Sequence, residues 1–465
     1  MSTSTGIPVE RADAVVVGAG PGGSAAAYFL AEAGHDVVLI EKESFPRDKV
    51  CGDGLTPRAV KALQTLGMAD EAAGLVPGWQ RQEGLRMYGG GVVLDLPWPE
   101  LADWPRHSLT ATRSLFDHSL ARNAAKAGAQ LWEGTEVLGP VWLSDAERRV
   151  AGVRFRRADG NEGTIRAPIV LVADGGSSRF AVGLGLHRLE QRPMGVAVRA
   201  YYRSPRASMG MMEGFLELYR GQGEGGRGAP AGGRGSGKGE GGRGAAAGGR
   251  GSGKGEGGGR GADELLPGYG WIFPLDGGLV NVGWGLLNTS EHFRSTNYRK
   301  TLDEWVAGFP EEWEIGPETR VGRPRGAGLP MGHNRKPPLY KGAMLVGDSA
   351  GMVNPFNGEG ISYAIEAAAF AVEAADAALR SHSDEPLRAY ERAVADAWGG
   401  YYTLGRWFVH IIGHPAIMRF CTEFGMPRRR VMQFVFRLMA HLTDRKSSDL
   451  TDRVINALSR AVPAA

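Results

Sequence analysis

The chain has 465 residues, 42% of them hydrophobic and 23% charged, with two cysteines and a formal net charge of +3. These values exclude wholesale disorder, and two thiols without CxxC spacing exclude a disulfide scaffold or a zinc ribbon. Length suggests roughly three domain-sized units, and glycine, at 72 residues, is about twice as frequent as usual.

The first residues, MSTSTGIPVERAD, lack a basic segment followed by an apolar one, so no secretory signal is expected. Residues 13–18 (DAVVVG) are a short β-branched run and predict a buried parallel strand. Gly18, Ala19, Gly20, Pro21, Gly22 and Gly23 follow, then a helix-like stretch. A second apolar run, 36–40 (DVVLI), ends at Glu41 and Lys42. The order has a physical reason. Gly18 permits a tight turn, Gly20 lets a pyrophosphate approach the backbone, and Gly23 lets helix pack closely on strand. The helix N-terminus offers free N–H groups to phosphate, and Glu41 stands where an acid can accept from an adenosine ribose. A dinucleotide site is expected, without a choice between NAD and FAD.

Residues 45–56 (FPRDKVCGDGLT) set Cys51 and Gly52 in a glycine-containing loop. Arg113, in TRSLFD, reads on its own as a solvated helix charge. Residues 169–176 (IVLVADGG) predict another strand, ending at Asp174, where a plain strand-end turn is an open reading.

Residues 221–261 hold 22 glycines, and GGRGAPAGGRGSGKGE recurs with one mismatch after 16 residues. Such a stretch cannot bury enough apolar surface to offset its ordering entropy, so a disordered insertion is expected. Its net charge of +4 accounts for the basic balance of the chain. It has no aromatic residue on which a base could stack, so no nucleic-acid partner is expected.

Tyr269, Trp271 and Phe273, in YGWIFP, alternate along a predicted strand and share one face. Core packing and the wall of a ligand slot are both open for them. Residues 343–359 (AMLVGDSAGMVNPFNGE) predict a strand ending at Gly347 and Asp348, then a Pro/Gly loop. Gly360 and Ile361 open a small-residue helix. Asp348 is placed for contact with a polyol, and the helix N-terminus for an anionic or carbonyl group.

Residues 398–465 carry a net charge of +6. Val431, Phe434, Val435, Leu438, Met439 and Leu442 recur at helical spacing behind three arginines. Such a helix can lie on an anionic membrane or pack on its own protein. No apolar run reaches the length of a membrane span, since Arg406, His410 and His414 interrupt the longest. His410 and His414 read as ordinary helix residues, and no metal site is expected.

Taken together, the glycine fingerprint and the late Gly-Asp segment resemble the FAD-dependent oxidoreductases of the para-hydroxybenzoate hydroxylase and glutathione-reductase-like superfamily. The resemblance implies FAD, with Asp348 at the ribityl chain and Gly360 and Ile361 at the flavin ring. It puts Arg113 at the phosphate and ribityl region and Val137 beside the adenine. Ala19, Gly22, Lys42, Asp174 and Gly347 count as further cofactor contacts. No second GxGxxG unit set between a predicted strand and helix is evident, so a resident NAD(P)H site is not implied.

Two segments, FPRDKVCGDGLT and YGWIFP followed by NVG, resemble the geranylgeranyl reductase family, which hydrogenates polyprenyl chains. Within it, CGDGLTPRAV looks most like the actinobacterial menaquinone reductases. The resemblance implies a prenyl quinone or prenyl lipid resident in a membrane, an anionic membrane surface, and a separate, unidentified electron donor. It implies a place in the cytoplasm, peripheral to the inner face of the cell membrane. Other readings are a geranylgeranyl lipid or chlorophyll-tail reductase, an FAD-dependent aromatic monooxygenase or halogenase, and a non-enzymatic nucleic-acid-binding flavoprotein.

An isolated trisubstituted alkene has no group to stabilise an added hydride, so its reduction needs proton delivery. Positive charge then develops on the tertiary carbon. A dry apolar slot, a proton donor and aromatic faces answer that need. Tyr269, Trp271 and Phe273 are the expected walls. The resemblance puts Cys51 beside the flavin, as proton or hydrogen-atom donor, as gate, or as a small side chain that fits there.

The expected fold is α/β. A Rossmann-like FAD domain is assembled from 11–75, 105–188 and 325–380. An antiparallel-β substrate domain uses 76–104 and 189–324, and a helical segment spans 385–465.

Overall fold

A computed structural model describes residues 9–220, 264–266, 268–444 and 449–463. The glycine-rich insertion expected at 221–261 lies outside the described residues.

Six strands form the nucleotide-binding sheet, in the order Leu339–Tyr340, Ala343–Leu345, Ile169–Val172, Ala14–Val17, Val37–Ile40, Gln130–Trp132. All neighbours pair in parallel except the Leu339–Tyr340 edge hairpin. Every residue of Ala14–Val17, Val37–Ile40 and Ile169–Val172 is buried. That is the expected consequence of helices on both faces, and it explains the unbroken apolar runs. Helix Pro21–Glu32 returns the chain after the first strand. Helix Ile361–Ser381 packs against it, and the two approach so closely that a Cβ at Gly22 would stand 3.3 Å from the Ala364 Cβ.

A second sheet has seven strands: Arg320–Pro330, Met194–Arg203, Leu279–Leu287, Gly268–Leu275, Met212–Phe215, Gly84–Gly89 and Val92–Pro97. It is antiparallel except where Met212–Phe215 joins Gly84–Gly89. The strand Arg320–Pro330 runs through position 325, so the expected boundary falls inside an element. One face packs Trp284, Trp305, Phe215 and Trp313 into a separate apolar cluster. The other face meets the loop around Cys51. Room for the two largest rings comes from glycine: a Cβ at Gly270 would stand 2.4 Å from Trp305, and one at Gly283 2.3 Å from Trp271.

Helices Arg388–Ile412, Pro415–Phe420, Arg429–Met439 and Leu450–Arg460 follow, with a π-turn at Cys421–Gly425. Most of the apolar stripe read from 431–442 is half-buried: Leu442 is fully buried, Phe434, Val435, Leu438 and Met439 are half-buried with the last two packed against the main core, and Val431 is exposed. Phe436, off that stripe, packs on Trp98 with ring centroids 4.8 Å apart. A cluster of exposed apolar side chains precedes the stripe: Trp407 is 51% exposed, Ile411 54%, Phe420 61% and Phe424 44%, and Val431 of the stripe is 39% exposed. The exposed arginines Arg419, Arg428, Arg429 and Arg430 surround that patch in sequence. Among the described residues, no helix is long and apolar enough to cross a membrane.

Candidate active site

The glycine turn adopts the geometry its residues were read for. Gly18 has φ +94°, and a Cβ there would press to 2.6 Å from the Ala173 carbonyl oxygen. A Cβ at Gly23 would lie 1.8 Å from the Gly18 carbonyl oxygen, so only glycine lets the helix sit this close to the strand. Gly20 differs: nothing lies within 4 Å of its Cβ position. Neither Gly20 nor Gly360 caps its helix with a side chain, so both first turns keep free N–H donors. The helices touch at Gly22 and Ala364, which brings the two positive ends together.

Glu41 is 5% exposed at the end of its strand. Its Oε2 accepts from the Ala19 N–H (3.1 Å) and from Arg47 Nη2 (2.9 Å), and its Oε1 accepts from the Glu43 N–H (3.2 Å). Lone pairs remain for a ribose. Lys42 stays apart: its side chain is 66% exposed and approaches only Glu43. Val137 is the third residue of strand Thr135–Trp142, whose first residue, Thr135, donates its N–H to the Glu41 carbonyl.

Arg113 opens helix Arg113–Lys126 and is 8% exposed, so the solvated-charge reading is wrong. Its guanidinium grips Asp117 through Nε (2.7 Å) and Nη2 (2.8 Å). Arg47 Nη1 reaches the same carboxylate at 2.7 Å. Two cations therefore share one fully buried acid beside the glycine turn, in a layout that suits a pyrophosphate. Sequence reading missed Arg47 and Asp117, although the i,i+4 spacing of Arg113 and Asp117 was a usable signal.

Asp174 Oδ2 accepts from the Phe180 N–H at 3.2 Å in the turn before the short helix Arg179–Gly183, which Ser178 caps, and the buried Asp174 Oδ1 has no partner among the described residues. Asp348 faces the helix opening at Gly360, whose Cβ would stand 3.1 Å from Asp348 Oδ1. Burial raises the Asp348 pKa, while Lys49 and Arg113 hold it down. Gly347, at φ +67°, takes a conformation that suits glycine beside Ala364.

Cys51 and Gly52 meet the second sheet. A Cβ at Gly52 would lie 3.1 Å from the Phe273 ring and 3.4 Å from Trp271 Nε1. Tyr269, Trp271 and Phe273 form one row, with centroid spacings of 5.8 and 6.1 Å. Tyr269 donates to the Asn357 carbonyl at 2.6 Å, tying the sheet to the loop before Gly360. Gly358, Leu329 and Met331 stand around the Tyr269 hydroxyl end. The row thus runs from the Cys51 loop to the opening of the Ile361 helix. Burial pushes the Cys51 thiol up, with Arg113 opposing.

Asp53 holds this junction, and no role was read for it. It sits at φ +65° and is 1% exposed. Its carboxylate accepts from the Arg113 N–H (3.0 Å), Tyr201 Oη (2.8 Å) and Asn281 Nδ2 (2.7 Å). Asn281 also donates to the Cys51 carbonyl (2.9 Å) and accepts from Trp271 Nε1 (2.9 Å). Burial raises the Asp53 pKa to about 6 against those bonds and Arg199.

The family model described as FAD binding domain matches residues 11–225. A menaquinone reductase of Mycolicibacterium smegmatis is 34% identical over 445 residues, covering 96% of this chain and 95% of its own. The chain belongs to the menaquinone reductase family. FAD is its cofactor, and it is an FAD-dependent oxidoreductase. A digeranylgeranylglycerophospholipid reductase of Methanosarcina acetivorans is 28% identical, covering 83% of this chain and 80% of its own. Among solved structures, a geranylgeranyl bacteriochlorophyll reductase-like protein of Thermoplasma acidophilum superposes with a TM-score of 0.70 at 20% identity, covering 97% of this chain and all of that one. That likeness bears on the fold, which is the expected α/β flavin fold with an antiparallel sheet.

The residues fit the cofactor. Open space over Gly20, two uncapped helix ends and the Arg47–Arg113 pair match a pyrophosphate, and Glu41 and Asp348 offer carboxylates to its two polyols.

Proposed function

We propose that the chain saturates one carbon–carbon double bond in the isoprenoid tail of menaquinone, drawing the substrate from an anionic membrane surface. The near full-length similarity to a named menaquinone reductase carries this reading. The aromatic row against the Cys51 loop supports it.

FAD, when bound and reduced by a separate donor, would supply the hydride. The chain supplies the rest. Tyr269, Trp271 and Phe273 wall an apolar slot and turn ring faces toward the developing cation. Cys51 holds the proton at Sγ: a thiol raised by burial is protonated at neutral pH, which suits a donor and not a nucleophile. Hydride on one alkene carbon and proton on the other balance the reduction. Cys51→Ala is expected to keep its FAD and lose roughly 10²–10⁴ of its turnover. Unchanged turnover would remove the thiol from the reaction.

Trp407, Ile411, Phe420 and Phe424, next to Arg428–430, are the proposed membrane contact. Replacing Trp407 and Phe420 with serine should sharply reduce sedimentation with phosphatidylglycerol vesicles while leaving FAD content unchanged. Undiminished sedimentation would move the contact elsewhere.

The reading is tested in the host by deleting the gene and comparing quinones by mass spectrometry. Tails two hydrogens poorer, restored on complementation, are expected. A change in prenyl glycerolipids instead would favour the second reading, a prenyl-lipid reductase, which the similarity to the archaeal enzyme keeps in view.

A further inference from the structure

A cavity of ≈ 460 Å³ lies between residues 333–338 and helix Arg388–Ile412, with His333, Arg335, Lys336, Glu391 and Val394 among its walls. None of these residues belongs to the row, turn or loop described for flavin and prenyl chain. The walls are cationic. Arg192 and Arg406 both face Lys336 and His333. Among the described residues, no carboxylate oxygen comes within 4.0 Å of a charged nitrogen of Arg192, Arg335, Lys336 or Arg406. Glu391 is the acid of the wall, and it faces Lys336 and Arg388 without forming an ion pair.

Several polar side-chain atoms in and behind the wall have no partner among the described residues. His333 is 4% exposed and its Nε2 is buried without a hydrogen bond. Arg335 is 2% exposed. Its Nη1 donates to the Ser349 carbonyl at 2.5 Å, but its Nε has no partner. Arg406 gives Nη2 to Thr403 at 2.8 Å and leaves Nη1 buried and unpaired. A buried unpaired donor is costly, and one that belongs to a cation more so. The neighbouring cations act on one another and on His333. Burial, Lys336, Arg192 and Arg406 hold His333 down to about 3, and burial with Arg192 lowers Arg406 to about 10.

We infer that this cavity binds a phosphoryl group carrying at least two negative charges. Its oxygens would accept from Lys336, which lines the cavity beside Arg335 and His333, with Arg192 and Arg406 behind the wall as further counter-charges. Arginine and lysine donors that converge in a partly dry cavity are the usual means of holding such an anion. Met352, Val394 and Ala395 leave an apolar side to the cavity, so the phosphoryl group can be inorganic or the head of a lipid. The inference does not rest on the proposed prenyl substrate.

The test uses the FAD-loaded protein. Inorganic pyrophosphate is titrated calorimetrically, and phosphatidic acid vesicles are compared with phosphatidylcholine vesicles by sedimentation. Saturable pyrophosphate binding is expected, weakened about tenfold by Lys336→Gln and again by Arg406→Gln, with FAD content and melting unchanged. Glu391→Gln should strengthen it a few-fold. Sensitivity of pyrophosphate alone to these substitutions identifies a soluble phosphoryl ligand. Sensitivity of phosphatidic acid binding alone identifies a lipid headgroup. Absence of both kinds of binding, or binding indifferent to Lys336, Arg406 and Glu391, overturns the inference.

Discussion

A Gly20→Ala chain is expected to fold normally and to emerge without FAD. Gly20 has φ −81° and ψ −173°, a backbone any residue adopts, and a methyl group there meets nothing within 4 Å. The apoprotein should therefore melt within about 1 °C of the parent apoprotein. The same methyl group occupies the space that a pyrophosphate needs against the helix N-terminus. FAD affinity should fall about 100-fold or more, a loss of about 3 kcal/mol. Gly23→Ala is the informative contrast. Its methyl group would meet the Gly18 carbonyl at 1.8 Å, so helix and strand must separate. That chain should lose both its FAD and several degrees of thermal stability. Fluorescence titration of apoprotein with FAD, beside melting curves, separates the two. Full FAD retention by Gly20→Ala would show that the pyrophosphate does not pass over this turn.

The second large effect is expected at Asp53. Asp53→Ala leaves the Arg113 N–H, Tyr201 Oη and an Asn281 N–H without their shared acceptor in a buried place. Unpaired buried donors cost about 1–3 kcal/mol each, partly offset by removal of a desolvated charge. A net loss of about 2–4 kcal/mol is expected. Turnover should collapse as well, because Asn281 no longer fixes the Cys51 carbonyl and the Trp271 indole. Asp53→Asn keeps an acceptor for Arg113, lets the Tyr201 hydroxyl reverse its role, and tolerates positive φ, but sets its amide N–H groups against those of Asn281. It should restore only part of the stability.

Asp53 also gives a pH signature. Its folded pKa, about 6, lies above the ordinary aspartate value of 3.8, chiefly through burial. The folded state therefore holds its proton more firmly. The relative stabilisation is full below about pH 4 and is lost as pH rises through 6, by on the order of 3 kcal/mol. Denaturant midpoints should decline across that window in the parent and flatten in Asp53→Asn. A parallel decline in both would assign the dependence to other groups.

The nucleotide half was legible because its signals are local. Strand, glycine turn, helix and terminal acid follow one another within thirty residues, and each residue type has a backbone reason to be there. The aromatic row was legible for a similar reason, since alternation on a strand fixes a shared face. Asp53 was hidden beside a more conspicuous cysteine. Its partners lie 60, 148 and 228 positions away, and no local pattern points to them. Arg47 and Asp117 were missed through the same long reach, 70 positions, that brings them together.

Two features lay out of reach for a different reason. The apolar stripe after Arg428–430 is amphipathic, but periodicity cannot say whether protein or lipid covers it. Leu438 and Met439 pack against the main core while Val431 is exposed, and a further exposed apolar cluster comes from Trp407, Ile411, Phe420 and Phe424. Arg113 read as a surface charge because its helix opens with polar residues, yet Asp117, Asp53 and Cys51 all converge on it. The cationic cavity had no sequence signature either. Arg192, Arg335, Lys336 and Arg406 come from three separate stretches that only the fold assembles.

The central claim is that reduced FAD in this chain hydrogenates a menaquinone tail. The direct measurement is anaerobic: purified protein is photoreduced, mixed with menaquinone in phosphatidylglycerol vesicles, and the quinone is analysed by mass spectrometry as the flavin reoxidises. The account predicts one two-hydrogen gain on the isoprenoid tail for each flavin reoxidised, with the ring recovered unchanged. Flavin that stays reduced until oxygen is admitted, with the tail unaltered, would contradict it.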